Sequence, residues 1–192
     1  MDLLTLSIPQ EYPMTDDELF AFCVANKELR IERSELGQLM IMSPTGSLSG
    51  NRNFKIISLF AQWVDEHPAL GYAFDSSAGF TLPDRSMRSP DVSWIKKDRW
   101  EALSLEQQKQ FAPICPDFVI ELKSDSDSIK VLKEKMLQWI KNGCELAWLI
   151  DPENQKAFVY KQSGSVEEFD FTQKLSGHTT LPDFILDLSK LR

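Results

Sequence analysis

The segment PDFVIELKSDSDSIKVLKEKMLQWIKNGCELAWLID, Pro116 to Asp151, constrains the fold more than any other part of the chain. Phe118-Val119-Ile120 reads as the middle of a buried strand. SDSIKVLKEKMLQWIKNG then has helical periodicity, with Ile129, Leu132, Met136 and Ile140 inward and Asn142-Gly143 as its stop. ELAWLID is apolar enough to be a central strand. A strand, a helix and a strand in this order predict a βαβ crossover and hence parallel pairing.

Antiparallel pairing is predicted upstream. ELRIERSELGQLMIMS reads as a hairpin: Leu29 and Ile31 alternate with Glu28, Arg30 and Glu32, Ser34 to Gly37 turn, and Leu39 to Met42 return. Thr15 and Glu18 form a capping-box pattern before an apolar helical face of Leu19, Phe20, Cys23 and Val24. A long helix is expected from Ser47 to Glu66, with Ile56, Phe60 and Trp63 inward. YAFDS, AGFTLP and DVSWIK are short strands, the last two joined by the turn-prone PDRSMRSP. KDRWEALSLEQQKQF reads as a helical insertion, and EEFDFT and LPDFILDL as late edge strands. The fold class is α/β with a mixed central sheet flanked by helices. With 192 residues, 42% of them hydrophobic, and no linker or repeat, one domain over residues 1–192 is expected.

Composition narrows the function. The start, MDLLTLSIPQEYP, has no signal-peptide pattern, and the longest apolar run, Leu146 to Ile150, is far too short to span a membrane. Cys23, Cys115 and Cys144 lack metal-ligand spacing and read as core residues of a reducing compartment, so a cytoplasmic protein is expected. His67 and His178 are isolated and suggest neither a zinc site nor a catalytic dyad. The formal charge of −8 argues against generic nucleic-acid binding, although carboxylates gathered around a metal lower the net charge without excluding a local basic patch.

Some charges look misplaced. Along FVIELK, Phe118, Ile120 and Leu122 share one face and Val119, Glu121 and Lys123 the other, which sets Glu121 and Lys123 about 6.6 Å apart. Alone, this is an ion pair at a strand end, worth at most about 1 kcal/mol. SPDVSW adds Asp91 at the start of another strand. Asp91 and Glu121 would supply hard oxygen donors, and Lys123 a cation to hold a water. One or two carboxylates, with waters and substrate phosphate oxygens, is how Mg²⁺ is usually held.

The pair Pro90-Asp91 and Glu121-Leu122-Lys123 resembles the PD-(D/E)XK nuclease signature. With LRIERSELGQLMIMSPTG, GFTLPDRSMRSPDVSWIKKDRW, CPDFVIELKSDSD, KMLQWIKNGCELAWLIDPENQKAFVYK and LPDFILDL, the chain resembles the Uma2 (DUF820) family of restriction-endonuclease-like proteins over roughly residues 15 to 190. The resemblance implies a restriction-endonuclease-like core and a Mg²⁺- or Mn²⁺-dependent endonuclease acting on DNA, with a homodimer favoured for double-strand cleavage. It also implies a site of Glu32, Asp91 and Glu121, all three as metal ligands, with a catalytic lysine. The alternation pattern alone would leave Glu32 a solvated strand residue.

The lysine has two candidates. Strand alternation favours Lys123, beside Glu121. Lys135, three before Gln138, matches the helix lysine of many relatives and would assist or bind phosphate. Lys130, Lys133 and Lys141 read as a solvated helix face. SPTGSLSGNRN, Ser43 to Asn53, offers hydroxyls and N–H groups to a phosphate at a helix N-terminus, a reading that Arg52 and Lys55 would strengthen by facing the site, but an ordinary capped helix start is favoured. The alternative to an enzyme is an inactive nuclease-fold protein acting as a nucleic-acid-binding or regulatory module.

Overall fold

A computed structural model describes residues 4–9 and 11–192. In chain order the elements begin with β1 (Leu4–Leu6), α1 (Asp16–Ala25), β2 (Arg30–Arg33), β3 (Leu39–Met42), α2 (Ser47–Glu66) and β4 (Gly71–Asp75). Next come β5 (Phe80–Thr81), β6 (Met87–Arg88), β7 (Val92–Lys96), α3 (Lys97–Glu101), α4 (Leu105–Lys109) and β8 (Phe118–Leu122). The chain ends with α5 (Ile129–Lys141), β9 (Leu146–Asp151), β10 (Lys156–Lys161), β11 (Val166–Asp170), β12 (Lys174–Ser176), β13 (Ile185–Asp187) and a 3₁₀ turn, Leu188–Leu191.

The predicted crossover forms. α5 carries the chain from β8 to β9, which pair in parallel with Ile120 opposite Trp148. They lie inside a six-stranded sheet of order β11-β10-β9-β8-β7-β4, whose other pairs are antiparallel, so the sheet is mixed. α5 ends where expected: Gly143 has φ +107°, a left-handed conformation that glycine adopts without a Cβ clash.

The hairpin does not join this sheet. β2 and β3 pair antiparallel within a second, five-stranded sheet of order β1-β3-β2-β6-β5. The expected turn PDRSMRSP contains β6, which pairs with β5 and with Arg33 of β2. The expected helix after Lys96 is two short helices, because Ser104 starts a new one: its hydroxyl accepts from the Gln107 N–H and the Gln107 side chain accepts from the Ser104 N–H. The tail supplies an edge strand, β11, and a separate β12–β13 pair.

The two faces of the six-stranded sheet differ. Ile56, Phe60 and Trp63 of α2 pack on Val92, Trp94, Phe118, Ile120 and Trp148. Met136 and Trp139 of α5 pack on Ile95, Val119, Ala147 and Leu149 on the opposite face. Strand alternation therefore directs residues 91 and 121 toward the α5 side.

Candidate active site

The site lies where the second sheet meets the α5 face of the first. On β2, Arg30 and Glu32 share a face and pair with Met42 and Met40 of β3, while Ile31 and Leu39 pack into the small core on the other side. Asp91 immediately precedes β7, whose Val92 pairs with Ile120, and so falls beside Glu121. On α5, Glu134, Lys135, Gln138 and Lys141 follow a helical stripe that is not part of the apolar core. Arg30, Glu32, Asp91, Glu121 and the α5 stripe line one cleft of about 780 Å³.

The Lys135 ammonium is the hub. It donates to Glu32 Oε1 at 2.9 Å and lies 2.9 Å and 3.1 Å from the two Glu121 oxygens. Burial disfavours its charge, but Glu121 and Glu32 outweigh burial and hold the ammonium above its ordinary range. Glu121 also accepts from the Trp139 indole N–H at 3.0 Å. Glu32 accepts from Arg88 Nη1 at 2.9 Å and from the Ser89 backbone N–H at 3.0 Å.

The two buried glutamates are driven in opposite directions. Burial raises Glu32, yet Lys135, Arg88 and the Ser89 N–H together lower its carboxyl to about 2. Burial, with the charges of Asp91 and Glu32 added, pushes Glu121 up to about 7 despite Lys135. Asp91 is also raised by burial, against the pull of the Leu122 N–H, which donates to it at 2.8 Å, and of Arg30. Carboxyls pushed up in a cleft, beside one held down, are what sites of acid, base or metal chemistry characteristically display.

Of the residues singled out in the sequence, Glu32, Asp91, Glu121 and Lys135 meet in the cleft, and Lys123 does not. β8 ends at Leu122, and the Lys123 ammonium turns to Glu153 at 2.6 Å and to the Ser124 carbonyl at 3.2 Å. The expectation that the strand keeps Lys123 beside Glu121 is thus corrected: alternation fixes where a side chain starts, not where four methylenes past the strand end deliver its charge. Glu32 is buried, not solvated, at 3% exposure. Arg52 donates to the Leu191 carbonyl at 3.0 Å, and neither it nor Lys55 lines the cleft, so α2 does not add a phosphate site there.

Arg88 and Gln138 enter the site as well, although the sequence assigned neither of them to it. Arg88 donates to the Gln138 amide oxygen through Nε at 2.9 Å and Nη2 at 2.6 Å. Gln138 in turn donates to Asp84 at 2.8 Å, which also accepts from Asn142 at 2.8 Å. Arg88 lies three residues before Asp91 in MRSPD, and that proximity was the available signal.

A family model, Uma2, described as "Putative restriction endonuclease", matches residues 16–189. The chain belongs to the Uma2 family. Among solved structures, a "putative nuclease belonging to DUF820" from Anabaena variabilis ATCC 29413 is similar at 24% identity, with a TM-score of 0.72, over 93% of this chain and 97% of that one. That likeness establishes the shared fold. No curated protein matches.

In this Uma2 chain the fit to a metal is partial. Among the described residues, no three His, Cys, Asp or Glu side chains gather closely enough to hold an ion. The expected three-carboxylate set is therefore not assembled, and both Glu32 and Glu121 already accept from Lys135. Asp91 and Glu121 remain a pair of oxygen donors suited to a hard cation that keeps most of its waters. No described helix is long and apolar enough to cross a membrane.

Proposed function

We propose that the cleft is the active site of a Mg²⁺- or Mn²⁺-dependent endonuclease that hydrolyses phosphodiester bonds in DNA. The observation that carries this reading is the Lys135 ammonium bridging Glu121 and Glu32, with Asp91 beside Glu121 at an open cleft. Asp91 and Glu121 would hold the ion. A divalent ion in such a site polarises the phosphoryl oxygen and lowers the pKa of a water.

The chain's own groups have separate tasks. Lys135 orients the attacking water and offers positive charge where the phosphorane oxygens gain negative charge. Glu32 acts through Lys135, keeping it charged and in place, and is itself fixed by Arg88 and the Ser89 N–H. Water adds to phosphorus, the bond from phosphorus to the leaving oxygen breaks, and a phosphomonoester and an alcohol result. Cutting both strands of a duplex calls for two copies of the site, which a homodimer would bring.

The test is conversion of supercoiled plasmid to nicked and linear forms with Mg²⁺ or Mn²⁺. The intact protein should cut, and Asp91→Ala and Glu121→Ala should each abolish cutting. Equal residual cutting by both variants and the intact protein would defeat the proposal.

A second reading is a nucleic-acid-binding or regulatory module without catalysis. The net charge of −8 and the pairing of Arg88 and Lys135 with internal carboxylates favour it. Salt-dependent DNA binding with no metal-dependent cutting would support it.

A further inference from the structure

Four cations line the cleft: Arg30, Arg88, Lys135 and Lys141. Lys135 is bridged between Glu32 and Glu121, and Arg88 is held by Glu32 and Gln138, so both are fixed in place by close internal contacts. Lys141 is exposed at the last turn of α5. Arg30 is different. It shares the cleft face of β2 with Glu32 and is 38% exposed along its side chain. Its Nη2 lies 3.7 Å from Asp91 Oδ1, a looser pair than the 2.9 Å contacts of Lys135 and Arg88, and donates to the Ser89 carbonyl at 3.3 Å. Its Nε is buried and has no hydrogen-bond partner among the described residues.

A buried N–H without a partner is uncommon, and among the described residues Arg30 is the one charged side chain that has one. A guanidinium fork matches the spacing of two phosphate oxygens. We propose that Arg30 takes a backbone phosphate of the nucleic-acid substrate and seats it beside Asp91. This rests on the nuclease reading of the cleft and adds to it the group that docks the substrate. The phosphate draws the guanidinium away from the weak Asp91 contact, so one movement binds the strand and frees an Asp91 oxygen. Arg30 is accordingly a binding residue, distinct from Lys135, which the two carboxylates hold in place at the reacting centre.

The test is fluorescence anisotropy of a short labelled DNA duplex with the intact chain, in EDTA so that no cutting intervenes, over a range of salt. Arg30→Gln should weaken binding about tenfold and reduce the slope of log K against log salt by about 1. Arg30→Lys should keep the slope and lose part of the affinity, which also guards against a folding defect in the first variant. Lys109→Gln, on the exposed side of α4, should change neither. In the plasmid assay Arg30→Gln should raise KM. Unchanged affinity and slope in Arg30→Gln, with Asp91→Ala still abolishing cutting, would overturn the role of Arg30 and leave the nuclease reading intact. An intact chain that neither binds nor cuts DNA would overturn both.

Discussion

The two faces of the six-stranded sheet are made from the same strands and do opposite work. From β7 and β8, one face receives Val92, Trp94, Phe118 and Ile120, and α2 covers it with Ile56, Phe60 and Trp63. The other receives Val119 and, at the strand ends, Asp91 and Glu121, and α5 covers only part of it before the cleft opens. The first face is held chiefly by apolar and aromatic contact. The second carries charges that are costly to bury and are compensated by Lys135, Arg88 and Trp139. Polar groups held at such a cost on an otherwise well-packed sheet are what the proposed active site requires.

Substitutions can break that contrast, starting from the apolar face. Phe60 is 2% exposed and meets the rings of Trp63, Phe118 and Phe184. Phe60→Ala should cost about 3–5 kcal/mol in denaturant unfolding while leaving the folded fraction's cleft chemistry in place. On the charged face, Lys135→Gln leaves Glu32 and Glu121 facing each other without their cation. It should cost about 3 kcal/mol by the same measurement, less than a fully orphaned pair because Glu121 can take up a proton.

The glutamates sharpen the contrast through pH. Glu32 is lowered, so the stability it contributes is present above the ordinary carboxylate range and is lost as pH falls toward about 2. Glu121 is raised, so the folded state binds the extra proton, and stability falls as pH rises from the ordinary 4.5 to about 7. Thermal unfolding of the intact chain should decline across that upper window by on the order of 2 kcal/mol, and Glu121→Gln should flatten the decline. A Glu121→Gln curve with the same decline would show that another group causes it. The smallest effect belongs to Lys123, whose partner Glu153 is 61% exposed along its side chain. Lys123→Gln should change stability by no more than about 1 kcal/mol.

Much of this architecture was legible in the residues. The helical period of Ile129, Leu132, Met136 and Ile140 marked the inward face of α5, while Lys135 was marked only by resemblance to the family's helix lysine. The βαβ order fixed the parallel pair at the centre of the sheet. Asp91 and Glu121 stood out because carboxylates at the ends of apolar strands demand a reason. What stayed hidden depends on contacts far apart in the chain. Glu32 reads as a solvated strand residue until Arg88, 56 residues away, and Lys135, 103 residues away, are brought to it. The second sheet was hidden for the same reason, since β6 is only Met87–Arg88 and gains its meaning from pairing with β2 and β5. Lys123 misled because periodicity describes a strand's interior, and its flexible side chain begins one residue beyond the end.

The most direct measurement compares the two lysines in one plasmid-cleavage assay with Mg²⁺ or Mn²⁺, with circular dichroism confirming that each variant is folded. Cutting by Lys135→Gln should fall about 100-fold or more, the scale expected when a charged group at a developing oxyanion is removed. Lys123→Gln should cut at close to the rate of the intact chain. The reverse pattern, or undiminished cutting by Lys135→Gln, would contradict a site centred on Lys135, Glu121 and Asp91.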